Sequence, residues 1–175
     1  AEEREKSNKN PKYWINKDGM IFEGDNELFN SSVLSIPGKH NLQNLLLVVS
    51  IGRKIGLSAQ AIEQGIKDFR GVPHRLEFIG KIRGVNIFND SKATNYDAAT
   101  IGLQAISSTT IILAGGQAKE GDASDWLIEL NKSCSAVVLF GSSARMLQKK
   151  IIASGFKKEV YIFEDLNKAT NAAIS

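Results

Sequence analysis

The sequence predicts an α/β protein in two parts: short antiparallel strands and two helices over residues 1–72, then an open, mostly parallel sheet with crossover helices over 73–175. Three observations predict it. Up to residue 36 the apolar residues come in short alternating runs divided by turn residues, as in an antiparallel meander. From His74 onward, apolar runs of strand length alternate with segments of helical periodicity, and strands joined through helices pair in parallel with right-handed crossovers. Between the two textures Gly71-Val72-Pro73 punctuates the chain, and the domain boundary is placed there.

Taken in order, a charged segment, AEEREKSNKNPKY, leads into Trp14-Ile15, Met20-Ile21-Phe22 and Ser32-Val33-Leu34-Ser35-Ile36, read as strands. Lys17-Asp18-Gly19 and Gly24-Asp25-Asn26 are the turns dividing them. Pro37-Gly38 stops the last strand, and His40-Asn41 opens a helix whose apolar positions Leu42, Leu45, Leu46, Val49 and Ile55 keep helical spacing up to Gly56. Ser58 is placed to cap a second helix through Ala61, Ile62, Ile66 and Phe69. Beyond the boundary the strands are read as Phe78 to Ile82, Val85 to Phe88, Thr110 to Leu113, Ala136 to Phe140 and Val160 to Phe163. The helices run from Asn95 to Ile106, Ser124 to Asn131, Ala144 to Ser154 and onward from Leu166.

Composition removes several function classes. Hydrophobic residues make up 42%, and no apolar run approaches the roughly 20 residues of a membrane-spanning helix, which argues against membrane insertion. The formal charge of +3 is spread along the chain with acids between the cations and no basic block interleaved with aromatics, so nucleic-acid binding has little support. One cysteine, Cys134, excludes an internal disulfide framework and a cysteine-cluster zinc site, and its place beside an apolar strand suits a buried structural thiol. No secretory signal leads the sequence, which makes a reducing cytoplasm the default.

Ligands of open α/β sheets bind beyond the C-terminal ends of the strands. Polar residues gather there: NDSKATN after the second strand, GGQAKEGD after the third, GSSAR after the fourth and EDLNK after the fifth. GGQAKEGD is not a GxGxxG fingerprint and no GxxxxGK[ST] occurs, so no self-contained phosphate cradle is expected. Gly141-Ser142-Ser143 reads as the cap of the next helix. His40 and His74 have no cysteine or acid at ligand spacing, and no metal site is expected. NDSKATN differs in kind: Asn95 or Asp90 can cap a helix, but capping takes one side chain and this stretch offers six polar ones, so it is read as binding something.

GKHNLQN (Gly38 to Asn44), FRGVPHRLE (Phe69 to Glu77), FNDSKATN (Phe88 to Asn95) and LAGGQAKEGD (Leu113 to Asp122), in this order and at this spacing, closely resemble the Mur ligase family. The resemblance runs from about residue 10 to the end of the chain. Serine-lysine after the aspartate is the pattern of the D-glutamate-adding members, where sister ligases carry DYAHNP, DYGHHP or DSYNANP. Family members have a UDP-substrate domain, a central ATPase domain with a GKTN-type P-loop and a carbamylated lysine that helps hold magnesium, and a Rossmann-like C-terminal domain. The resemblance therefore implies that residues 1–72 are the C-terminal part of the central ATP-binding domain. Residues 73–175 would then be the glutamate-binding C-terminal domain, short of its last strand and loop.

The implied activity is ATP-dependent ligation of D-glutamate to UDP-N-acetylmuramoyl-L-alanine through an acyl phosphate, in peptidoglycan biosynthesis. This stretch alone would be inactive, since the P-loop and most magnesium ligands lie elsewhere. By motif, Asn41 and Asn44 would meet the adenine of ATP. Arg75 and Asp90 would hold the ribose and phosphate region, and Thr94 and Lys119 the D-glutamate carboxylates, with Lys92 beside them as a further cation. Lys92, Asp90 and Arg75 are the candidate catalytic residues. ATP would be gripped from both sides of the Gly71-Val72-Pro73 boundary, which makes residues 71 to 74 a hinge. A nucleotide-binding module or a protein-interaction module without catalysis are the alternatives; neither has a motif of its own here.

Overall fold

A computed structural model describes residues 12–117 and 120–175, so most of the charged leading segment and the candidate Lys119 lie outside the described residues. The chain divides into two compact units, Ala1–Val72 and Pro73–Ser175.

In the first unit β1 (Tyr13–Ile15), β2 (Met20–Glu23) and β3 (Asn26–Asn30) form an antiparallel sheet in that order. The Asn16 side-chain oxygen accepts from the amides of Asp18 and Met20 and so holds the first turn, where Gly19 takes φ +81°. Trp14 and Phe22, partners across β1 and β2, stack at 4.3 Å. The stretch Ser32 to Ile36, expected as a strand, is not one. The Asn30 side chain accepts from the Ser32 amide and bends the chain into a 3-10 turn, Ser31–Val33. The third strand is the preceding NELFN, whose first residue was expected in a turn.

Gly38, at φ +109°, starts α1 (Lys39–Lys54), and Gly56 follows its end. The Ser58 hydroxyl accepts from the Ala61 amide at 3.1 Å and caps α2 (Ala59–Asp68), as its position in the sequence suggests. A Cβ on Gly52 would lie 2.8 Å from Ile62 Cδ1, so the two helices meet there without a side chain between them. Ile21, Phe29, Leu45, Val49, Ile62 and Ile66 form the core of this unit. Removing the cap by Ser58→Ala is expected to destabilise the unit by about 1 kcal/mol, and Ser58→Gly by a few tenths. Denaturant midpoints of the two variants check the order; equal midpoints would remove the cap from the account.

In the second unit β4 (Glu77–Ile82) and β5 (Val85–Asn89) pair antiparallel as a hairpin. Among the described residues only β6 (Thr110–Gly115), β7 (Cys134–Phe140) and β8 (Glu159–Phe163) are parallel, in that order. Two residues cannot carry a chain back to the start of a parallel neighbour, whereas Arg83-Gly84, both at positive φ, suit a tight hairpin turn. The parallel strands are joined through α4 (Ser124–Ser133) and α5 (Ala144–Ala153). Before them α3 (Tyr96–Ala105) connects the hairpin to β6, and α6 (Leu166–Ile174) follows β8.

The core gathers around the central strand: Cys134, Val137 and Leu139 are fully buried, against Leu103, Trp126, Leu130, Leu147 and Ile151 of α3, α4 and α5. Burial pushes the Cys134 thiol up to about 11, so it stays protonated and inert as a structural thiol. The Lys158 ammonium donates to the carbonyls of Asn131 and Cys134, satisfying acceptors at the end of α4. No helix among the described residues is long and apolar enough to cross a membrane.

Candidate functional site

The six polar residues after β5 divide their work. Asn89 accepts from the Ser91 amide through its side-chain oxygen, which turns the chain out of the strand. The Asp90 carbonyl accepts from the Ala93 amide and the Lys92 carbonyl from the Thr94 amide, so residues 90–94 form a tight loop. Asn95, not Asp90, caps α3, accepting from the Ala98 amide at 2.8 Å. Asn89 and Asn95 thus spend their side chains on local structure. Ser91, Lys92 and Thr94 are exposed.

A second loop, His74 to Glu77, is tied to the first. The Lys92 amide donates to the His74 carbonyl at 3.0 Å, and the Leu76 amide donates to Asp90 Oδ1 at 2.9 Å. The Asn89 side-chain amide lies 2.9 Å from His74 Nδ1; with its oxygen taken by Ser91, its nitrogen faces the ring and donates to it. The His74 amide donates to the Glu77 carboxylate at 2.8 Å. His74 and Leu76 take φ +64° and +43°, a region side chains with a Cβ seldom occupy, and Arg75 stands exposed between them. Arg75, Asp90, Lys92 and Thr94 therefore belong to one pair of bonded loops.

At the neighbouring strand end Gly115 has a steric reason. A Cβ on Gly115 would lie 2.1 Å from the Phe140 carbonyl oxygen, which accepts from the Gly116 amide. The Ser142 hydroxyl and Ser143 amide both donate to the Gly116 carbonyl, locking the ends of β6 and β7 together. Ser143 sits at the N-cap of α5 but makes no side-chain capping bond, and its buried hydroxyl has no partner among the described residues. Further along, the hydroxyl and amide of Ser124 donate to Asp122, holding its carboxyl below the usual range.

In the first unit Asn41 and Asn44 lie one turn apart on α1. Asn41 donates to the Pro37 carbonyl at 2.6 Å and receives a long 3.5 Å contact from Asn44, which is exposed. Among the described residues no three His, Cys, Asp or Glu side chains gather as a metal site. Sequence reasoning missed the left-handed His74 and Leu76, and Gly102, where a Cβ would stand 2.3 Å from Asp90 Oδ2. Its signal for Gly102 was available: a lone glycine inside a helical pattern usually has a packing reason.

Residues 74–175 match the family described as Mur ligase, glutamate ligase domain. The chain belongs to the Mur ligase family. A relative called UDP-N-acetylmuramoylalanine–D-glutamate ligase, from Prochlorococcus marinus strain MIT 9313, is 50% identical over 162 residues, 93% of this chain and 35% of its own length. One of the same name from Parasynechococcus marenigrum strain WH8102 is 47% identical over 161 residues, 92% of this chain and 35% of its own. The chain thus spans about a third of the length of the curated relatives it matches. Among solved structures, the UDP-N-acetylmuramate–alanine ligase of Thermotoga maritima aligns with a TM-score of 0.66 at 21% identity, over 89% of this chain and 36% of that one. The folylpolyglutamate synthase of Mycobacterium tuberculosis gives 0.66 at 19%, over 93% and 39%. At such identities these two Mur ligase-like structures speak for the fold alone.

Proposed function

We propose that the chain is the C-terminal part of an ATP-dependent ligase that joins D-glutamate to UDP-N-acetylmuramoyl-L-alanine. The first unit is read as the tail of the ATP-binding domain and the second as the glutamate-binding domain. One observation carries the reading: the loops 74–77 and 89–95, which by motif serve nucleotide and D-glutamate, are bonded to each other and present Arg75, Lys92 and Thr94 outward. The names of relatives about half identical over nearly the whole chain support it.

The chemistry needs such a surface. The acceptor carboxylate takes the terminal phosphoryl group of ATP, the amine of D-glutamate attacks the acyl carbon, and phosphate leaves. Anionic reactants and a developing oxyanion must be held together, so positioning and positive charge do most of the catalysis. Arg75 answers the phosphates and Asp90 the ribose hydroxyls, from which a carboxylate can accept. Thr94 and Lys119 bind the D-glutamate carboxylates with Lys92 beside them. Asn44, with Asn41 behind it, reads the adenine edge through a carboxamide that both donates and accepts.

The test is ADP release by the full-length protein that carries this chain. Release should require both D-glutamate and the UDP-linked acceptor, and the 175-residue chain alone should release none above background. Ligation of L-alanine or a diamino acid in place of D-glutamate would sink the reading, as would phosphate release from the isolated chain.

A further inference from the structure

We infer that Gly102, inside α3, is a positioning residue: it gives the Asp90 carboxylate the seat from which Asp90 holds the left-handed segment His74–Leu76, and with it Arg75, in one presentation. Mid-helix glycine weakens a helix relative to alanine, so its presence calls for a reason. The reason is visible. A Cβ on Gly102 would stand 2.3 Å from Asp90 Oδ2, so any other residue there would drive the carboxylate from its place.

The same carboxylate, through Oδ1, accepts the Leu76 amide at 2.9 Å. Leu76 at φ +43° and His74 at φ +64° are conformations that persist only where the surroundings impose them. Besides Asp90, the imposed contacts are the Lys92 amide on the His74 carbonyl, Asn89 on the His74 ring and Glu77 on the His74 amide. Beyond Arg75, Asp90 holds the Leu76 amide, one residue before Glu77 enters β4 opposite Asn89; the other contacts hold His74. Without Asp90 the left-handed Leu76, next to Arg75, loses its side-chain anchor. Gly102 acts through Asp90 on the loop and not on the substrate.

The consequence for ATP rests on the ligase reading, so the test has two parts. In the chain itself, amide exchange at Leu76 should quicken at least tenfold in Gly102→Ala and in Asp90→Ala. It should stay within twofold in Asp90→Asn, which keeps Oδ1 as an acceptor. The thermal midpoint of Gly102→Ala should fall, whereas alanine in an open helical position raises it. In the full-length protein Gly102→Ala should raise KM for ATP at least fivefold and change that for D-glutamate less than twofold.

Unchanged Leu76 exchange with a raised midpoint in Gly102→Ala would overturn the seat, and protected Leu76 in Asp90→Ala would overturn the clamp. Faster exchange with an unaltered KM for ATP would overturn the link to Arg75. If Gly102→Ala does not fold, that agrees with the collision, and Asp90→Ala against Asp90→Asn decides the rest. A full-length protein that forms no amide bond would defeat the ligase reading while the exchange data still decide the clamp.

Discussion

Gly115→Ala is expected to destabilise the second unit by about 3 kcal/mol or more, toward the upper end of what overpacking costs. The new Cβ would meet the Phe140 carbonyl oxygen at 2.1 Å and the Phe140 carbonyl carbon at 2.9 Å. Both are backbone atoms of the paired strand β7, where Gly115 stands opposite Phe140, so no side-chain rotation relieves the collision. The end of β6 must move, and with it goes the Gly116 amide that donates to the same oxygen. Gly116→Ala is the control. Its φ of +94° is unfavourable for alanine, but its Cβ would meet no atom within 4 Å. It should cost about 1–2 kcal/mol, the left-handed penalty alone. Thermal unfolding should therefore rank the variants, with Gly115→Ala lower by several degrees. The reverse order would mean that the strand end is pliant.

The elements were legible where one residue type settles the local geometry. Ser58 was readable as a cap because a short polar side chain ahead of an apolar periodic run suits one, whereas Asn95 was one of two candidates with Asp90. The parallel strands were readable from their unbroken apolar runs. β3 was not, because only Leu28 and Phe29 in NELFN are apolar, while VLSI nearby offers three apolar residues in four. The hairpin of β4 and β5 could have been read from Arg83-Gly84, since two residues allow only an antiparallel return. For the site, the motifs gave Arg75, Asp90, Lys92 and Thr94, because charged and hydroxyl side chains massed at a strand end are visible in one dimension. The bonds between Leu76 and Asp90, and the seat at Gly102, join residues 14 and 12 positions apart and depend on dihedral angles. No pattern in the string carries those.

In the full-length protein Lys119→Ala is expected to raise KM for D-glutamate about tenfold or more. A charge-assisted hydrogen bond to a carboxylate is worth roughly 1.5–3 kcal/mol, and every 1.4 kcal/mol is a factor of ten. Thr94→Ala, which removes a hydroxyl that the proposal aims at the same amino acid, should have a smaller effect, because an uncharged donor to a carboxylate at an exposed position stands at the low end of that range. Lys92 tests whether charge alone suffices: if cation density at the loop were all that mattered, Lys92→Ala would match Lys119→Ala. KM for ATP separates these readings, because the nucleotide is assigned to Arg75 and Asp90 in the paired loop rather than to Lys119. Replacing Arg75 should move the ATP value and leave the D-glutamate value nearly fixed, the mirror image of Lys119. Measured together, the two variants form a crossed comparison in which each substrate is its own control. A Lys119→Ala enzyme whose KM for ATP rose as far as that for D-glutamate would show that the lysine serves the phosphates, and the amino-acid site would then have to be sought elsewhere among the strand ends.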